Sequence, residues 1–269
     1  MRVQPTKTDT GQRIVGLAAI GAFAFALTLP FTPAEARTGG ESFSTLVKQV
    51  SPAVVNIAAV HAIAASEEEQ ASPFPPGSPW DEFMKRFSQP RGRQAERKAT
   101  ALGSGFVIDP AGYVVTNNHV VGEATDIAVT FADGRQLKAK LIGRDEKTDL
   151  ALIKVETTQP LAFVPWGDSD RAEVGDWVLA VGNPFGLGGT VTAGIISARG
   201  RDIHAGPYDD FLQLDAPINQ GNSGGPSFNM AGEVIGVNTA IYSPNGGSVG
   251  IGFAIPSAIA KPVVEALRQ

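Results

Sequence analysis

From Thr100 onward the chain is a succession of short apolar runs, each closed within a few residues by a turn signal. Ile127, Val129 and Phe131 alternate with polar neighbours, Asp133-Gly134 follows, and Leu137, Ala139 and Leu141 alternate back. A period of two turns one face of a strand to a core and the other to water, and Asp-Gly suits a tight hairpin. Asp109-Pro110-Ala111-Gly112, with Pro second, reads as a type I turn between Gly105–Ile108 and Tyr113–Thr116. Thr148–Val155 reads as one more strand, and Glu156 to Pro160 as a linker. A second set follows: Trp177–Gly182, Val191–Ala198, Phe211–Leu214, Glu233–Tyr242 and Val249–Ile255. Gly (31) and Pro (19) are abundant and long helical periodicity is scarce, so the fold class is all-β. Two successive groups of about six short antiparallel strands suggest two β-barrels. Phe43, Leu46, Val47 and Val50 have the spacing of a short N-terminal helix ended by Pro52, ahead of a buried strand at Val54–Val60. Pro256 to Arg268 reads as a C-terminal helix with Pro at its start.

Residues 1–36 stand apart. Arg2, Lys7 and Arg13 make a basic start, Ile14 to Leu29 is an uncharged apolar run, and Ala34-Glu35-Ala36 is a small-x-small site. That is the pattern of a cleavable export signal cut after Ala36, which predicts a periplasmic protein with no stable membrane insertion after cleavage. The chain has no Cys, so an exported form depends on packing rather than disulfides. Its mild acidity, a net charge of −5, argues against nucleic acid as a partner. Residues 62–99 interrupt the strand pattern. They carry Glu67-Glu68-Glu69 and Pro73, Pro75, Pro76 and Pro79, with Trp80, Phe83, Met84 and Phe87 at helical spacing. A disordered loop and a regulatory loop with an aromatic docking element are both open for this stretch. The predicted organisation is a signal peptide at 1–36, a first barrel at 37–157 with the long loop 62–99, and a second barrel at 158–269.

The chemistry is concentrated in Gly221-Asn222-Ser223-Gly224-Gly225-Pro226. A serine among residues this small fits two designs: the strand-to-helix elbow that needs a later His, and the oxyanion turn that needs His, then Asp, then Ser. The three histidines, His61, His119 and His204, all precede Ser223, which removes the elbow. His119 follows a strand end in Thr116-Asn117-Asn118-His119, and Asp149 directly precedes the apolar run Leu150–Ile153 that could bury its carboxylate. Among Asp126, Asp133, Asp145 and Asp149, spacing alone does not choose. Asp133 is explained by its hairpin, and Asp126 and Asp145 lie in polar stretches. A serine hydroxyl needs a base of near-neutral pKa, and the base needs a carboxylate to fix its tautomer. The candidates are therefore His119, Asp149 and Ser223 as catalytic residues. The N–H groups of Gly221 and Ser223, with Asn222 shaping the turn, are the candidate oxyanion hole. His61 and His204 read as structural. There is no His-Glu-x-x-His, no clustered His and no phosphate-loop Lys, so neither a metal nor another cofactor is expected.

Together these segments resemble the HtrA (DegP/DegQ-like) serine proteases, whose pattern is T-N-x-H-V, then an Asp before an apolar run ending in Lys, then G-N-S-G-G. Ala180-Val181-Gly182-Asn183-Pro184-Phe185-Gly186-Leu187 and Gly250-Ile251-Gly252-Phe253-Ala254-Ile255-Pro256 agree as well. The resemblance runs from about Phe43 to the C-terminus. It implies a chymotrypsin/trypsin-like double six-stranded antiparallel β-barrel, and a serine endopeptidase of protein quality control and stress response that degrades unfolded or damaged proteins. It also implies a homotrimer built through the N-terminal segment. Carried over by motif, Ile218, Ile241 and Ile251 would line the primary pocket, with Thr239 and Ala240 beside the substrate backbone. Pro217 stands where trypsin-like enzymes carry an acidic residue, so the pocket would prefer small or medium aliphatic side chains. Asp215 is read as structural. Residues 200–211, with His204, match a sensor loop of the family. Ser227 stands where the family often has Leu. PDZ domains commonly follow the protease in the family and none follows here, which leaves a protease-only form and a fragment both open. A chaperone-like binding protein held in a proteolytically inactive state is the rival from another class.

Overall fold

A computed structural model of the chain describes residues 42–62, 98–184, 189–204, 208–219, 221–244 and 247–269. The predicted signal peptide and the loop after residue 62 lie outside these residues. Six strands form a first closed antiparallel barrel: β1 (Val54–Ala62), β2 (Lys98–Asp109), β3 (Tyr113–Asn117), β4 (Asp126–Thr130), β5 (Gln136–Asp145) and β6 (Leu150–Val155), in the order β1-β2-β3-β6-β5-β4. Six more form a second: β7 (Trp177–Gly182), β8 (Thr190–Arg201), β9 (Phe211–Leu214), β10 (Pro226–Phe228), β11 (Val234–Ile241) and β12 (Gly252–Pro256), in the order β10-β11-β12-β9-β8-β7. Closure leaves neither sheet with an open edge.

The turn chemistry works as its residue types require. The Gly112 N–H returns to the Asp109 carbonyl at 2.9 Å, and the Asp109 carboxylate takes the Ala111 N–H at 2.8 Å. At the β4–β5 hairpin Gly134 has a φ of 85°, and the Phe131 N–H donates to the Arg135 carbonyl at 2.9 Å.

Several boundaries differ from the sequence expectation. The β1–β2 ladder extends to Ala62 opposite Lys98, so the excursion is two residues shorter at its far end than 62–99. The strand expected from Thr148 starts at Leu150, because Asp149 has a φ of 55°, outside the strand region. Val249–Ile251 precede β12 rather than joining it, and the three-residue β10 and the four-residue helix at Asn118–Val121 were not anticipated. The N-terminal helix α1 (Ser44–Val50) ends just ahead of Pro52, and a 3-10 turn, Ser51–Ala53, follows it, in which Pro is tolerated near the start.

One continuous core joins the barrels. Phe106, Val115, Leu152 and Ile153 of the first cluster with Leu179, Val181, Phe228 and Val237 of the second. Full burial of each such side chain stabilises by about 1.5–3 kcal/mol. The connecting segment adheres to both: Val164 donates to the Val107 carbonyl (3.0 Å), Gly167 donates to that of Val234 (2.9 Å), and Trp166 meets Phe106 edge-on at 5.4 Å. The closing helix, α3 (Ser257–Leu267), packs against β5, β6 and β11. Arg268 beyond it pairs with Asp109 at 2.8 Å and lies over the Tyr113 ring.

Candidate active site

His119 sits in the short helix α2 (Asn118–Val121), which turns the chain directly out of β3. Asp149 closes the opposite side. Its own carbonyl takes the Asn118 N–H (3.0 Å) and the Asn117 side-chain amide (2.9 Å), its Oδ1 takes the His119 N–H (2.9 Å), and its Oδ2 lies 2.7 Å from His119 Nδ1. The left-handed φ of Asp149 is what aims both its carbonyl and its carboxylate at the His119 turn. An ionised carboxylate only accepts, so this contact places the ring proton on Nδ1 and makes Nε2 the basic nitrogen.

Two of the rival carboxylates are employed locally. Asp133 holds Arg135 in the hairpin, and Asp145 accepts from Thr148 Oγ1 at 2.7 Å. The expected burial of the Asp149 carboxylate is not found: its side chain remains 31% exposed. Hydrogen bonds hold it instead, and a third comes from the other barrel, where Thr239 Oγ1 donates to Oδ2 at 2.8 Å. Thr239 occupies the bulge where the β11–β12 register slips between Asn238 and Ala240, which turns its side chain inward.

Ser223 is 1% exposed and lies in a turn pressed against the first barrel. Its carbonyl accepts the Ser104 N–H at 2.8 Å. Gly224 has a φ of 83°, and a Cβ there would fall 2.3 Å from the Ser104 carbonyl and 3.0 Å from the Asn117 nitrogen. Glycine at 224 is thus demanded by both conformation and space. The Ser223 turn and the His119 turn accordingly lean on the same stretch of β2 and β3. Within the turn the amides of Asn222, Gly224 and Gly225 donate to the carbonyls of Asn219, Asn238 and Asn222, whereas among the described residues those of Gly221 and Ser223 donate to no backbone carbonyl.

A family model described as a trypsin-like peptidase domain matches residues 103–237, half of the chain. The chain belongs to the trypsin-like peptidase family. It is 49% identical over 249 residues to a probable periplasmic serine endoprotease, DegP-like, of Rhizobium meliloti, covering 84% of this chain and 49% of that protein. It is 50% identical over 235 residues to the Rickettsia conorii protein of the same description, covering 85% of this chain and 46% of that one. The chain therefore spans about half the length of the curated relatives it matches. Among solved structures, the HtrA-type protease AlgW with a tripeptide is 39% identical, with a TM-score of 0.69 over 85% of this chain and 64% of that one. AlgW with a decapeptide gives 38% and 0.67, over 84% and 67%. The double barrel described above is thus the trypsin-like fold, with a C-terminal helix.

Around this trypsin-like site the residues singled out for substrate contact are placed as follows. Ile218 and Ile241, each 1% exposed, share a buried cluster with Leu214 and Ala216. Ile251 is only partly buried and packs against the larger core. Gly252 leaves the room that Ile218 fills, since a Cβ there would lie 2.7 Å from Ile218 Cδ1. Ala240 is buried opposite Phe253, and the Tyr242 N–H is taken by the Ile251 carbonyl (2.9 Å). Asp215 accepts the Ile195 N–H at 2.6 Å, the structural role expected of it. His204 is exposed and pairs with Asp202. His61 packs against Gly122, and burial lowers its pKa while a hydrogen bond to the Val120 backbone partly opposes the shift. Among the described residues no group of three or more His, Cys, Asp or Glu is placed to hold a metal ion.

Two contributions escaped the sequence reading. Thr239 was assigned beside the substrate backbone, yet its hydroxyl serves Asp149. Ser227, which stands where the family often has Leu, donates to Asn238 Oδ1 at 2.6 Å, so a hydrogen bond lies behind the Ser223 turn. Both are small polar residues among apolar strand neighbours, a pattern the sequence shows but one that names no partner.

Proposed function

We propose that the chain is the protease portion of an exported serine endopeptidase that cleaves unfolded or damaged proteins through an acyl-enzyme. The observation that carries this reading is the Asp149 carboxylate, which orients His119 from within the first barrel while accepting a hydrogen bond from Thr239 of the second. Ser223 Oγ attacks the scissile carbonyl and its proton passes to His119 Nε2. Negative charge develops on the carbonyl oxygen, and the Gly221 and Ser223 N–H groups are its donors on this reading. The imidazolium, held by Asp149, then protonates the departing amine as the C–N bond breaks and the ester to Ser223 forms. Water then repeats the sequence: His119 takes a proton from it as its oxygen bonds to the acyl carbon, and the imidazolium returns that proton to Ser223 Oγ as the acyl–oxygen bond breaks and the peptide acid leaves.

The descriptions of the relatives support a periplasmic setting, and the tripeptide and decapeptide in the AlgW structures support a peptide as ligand. The apolar character of Ile218, Ile241 and Ile251 supports a preference for small or medium aliphatic residues before the cleaved bond. On this reading residues 1–36 are removed on export, 37–157 and 158–269 each contribute one barrel, and the assembled protein is a homotrimer whose mass light scattering would report. The deciding experiment is cleavage of casein by the wild type and Ser223→Ala. The variant should lose about 10⁶ in turnover, and equal rates would overturn the reading.

A further inference from the structure

The two amides assigned to the oxyanion, those of Gly221 and Ser223, sit in peptide units that alternate with two others, and those others are held at both ends. In the Gly221–Asn222 unit the carbonyl accepts from the Ser104 hydroxyl and the N–H donates to the Asn219 carbonyl at 3.1 Å. In the Ser223–Gly224 unit the carbonyl accepts the Ser104 N–H (2.8 Å) and the N–H donates to the Asn238 carbonyl (2.8 Å). Both carbonyls are thus held by one residue of β2, on the opposite barrel.

Ser104 is itself fully immobilised. It is 0% exposed, its hydroxyl oxygen accepts the Asn183 N–H (2.8 Å), and its carbonyl accepts from Thr116 Oγ1 (2.7 Å). A glycine-rich turn offers little steric resistance to rotation of a whole peptide plane, so its N–H groups converge only if the neighbouring planes are restrained. The Asn183 N–H, the Ser104 hydroxyl and the Gly221 carbonyl form a buried chain of hydrogen bonds in which each link strengthens the next. Asn183 Oδ1 in turn accepts the Gly189 N–H at 3.1 Å, which ties both ends of the segment after β7 to the same chain.

We propose that Ser104 is a positioning residue for the oxyanion turn, its hydroxyl fixing the Gly221–Asn222 plane and its N–H the Ser223–Gly224 plane. This rests on the reading of Ser223 as the nucleophile. Substitution by Ala removes only the first restraint, because the second uses the backbone.

The test compares wild type, Ser104→Ala, Ser104→Thr and Ser223→Ala on a chromogenic peptide, at a temperature where far-UV circular dichroism shows each folded. Affinities are measured for a peptide boronate, whose tetrahedral adduct mimics the oxyanion, and for the product peptide, which does not. Ser104→Ala should lose roughly 10- to 100-fold in kcat with KM nearly constant, less than the loss of a donor itself. Boronate affinity should fall in step with kcat/KM, product-peptide affinity should hold, and Ser104→Thr, which keeps the hydroxyl, should recover most of the loss. A Ser104→Ala variant with wild-type kcat, or one that loses boronate and product affinity equally, overturns the proposal. A fully active Ser223→Ala would instead sink the nucleophile reading. An inactive Ser223→Ala beside an unaffected Ser104→Ala sinks the role of Ser104 alone.

Discussion

Thr239→Val deletes one hydrogen bond to Asp149 while keeping the volume of the side chain. Asp149 Oδ2 receives both His119 Nδ1–H and Thr239 Oγ1–H, at 2.7 and 2.8 Å, whereas Oδ1 keeps the His119 backbone N–H. A hydrogen bond to a charged group contributes about 1.5–3 kcal/mol. The Asp149 side chain is 31% exposed, so water replaces part of what is lost, and the effect belongs near the lower end of that range. Since about 1.4 kcal/mol is a factor of ten, kcat/KM should fall roughly tenfold. The loss should appear in kcat, because the restraint matters most when His119 carries its positive charge. It should stay far below the roughly 10⁴ associated with neutralising the carboxylate partner of a catalytic histidine, since His119 Nδ1 keeps its acceptor. Steady-state kinetics of Thr239→Val, Asp149→Ala and the double variant form the assay. The effect of Thr239→Val should vanish once Asp149 is gone. Additive losses, a tenfold rise in KM at constant kcat, or a Thr239→Val enzyme as fast as wild type would each refute the coupling.

Two further outcomes follow from the geometry. Gly224→Ala meets a φ of 83° and a Cβ position 2.3 Å from the Ser104 carbonyl, so the turn must move. The left-handed backbone alone costs about 1–2 kcal/mol, and a urea titration should show a lowered midpoint together with loss of activity. His61 has a pKa lowered by burial, so the folded state binds fewer protons than the unfolded chain. Its contribution is fully present above the unfolded value of about 6.5 and is lost as pH falls through the folded one. Between about pH 7.5 and 5 the urea midpoint of wild type should therefore drop more than that of His61→Gln. Parallel curves would show that His61 carries no such linkage.

Much of the architecture was open to local reading. Alternation at Ile127–Phe131 and Leu137–Leu141, with Asp133-Gly134 between, encodes β4 and β5 because strand period and hairpin angles are properties of neighbouring residues. Strand ends were less legible. Asp149 was placed inside a strand by its apolar successors, yet its backbone turns to reach His119 and Asn118, and those partners lie about thirty positions earlier.

By itself the sequence determined the all-β character, the paired strand groups and the order His119, Asp149, Ser223, each of which rests on residue type and short-range spacing. Tertiary structure alone decided which hydroxyls serve the site. Thr239 meets Asp149 across 90 positions and Ser104 meets Gly221 across 117. A hydroxyl's partner is whatever the packing of the two barrels sets opposite it, and in a strand of alternating small and apolar residues nothing local distinguishes a serine that clamps a turn from one that merely fills space.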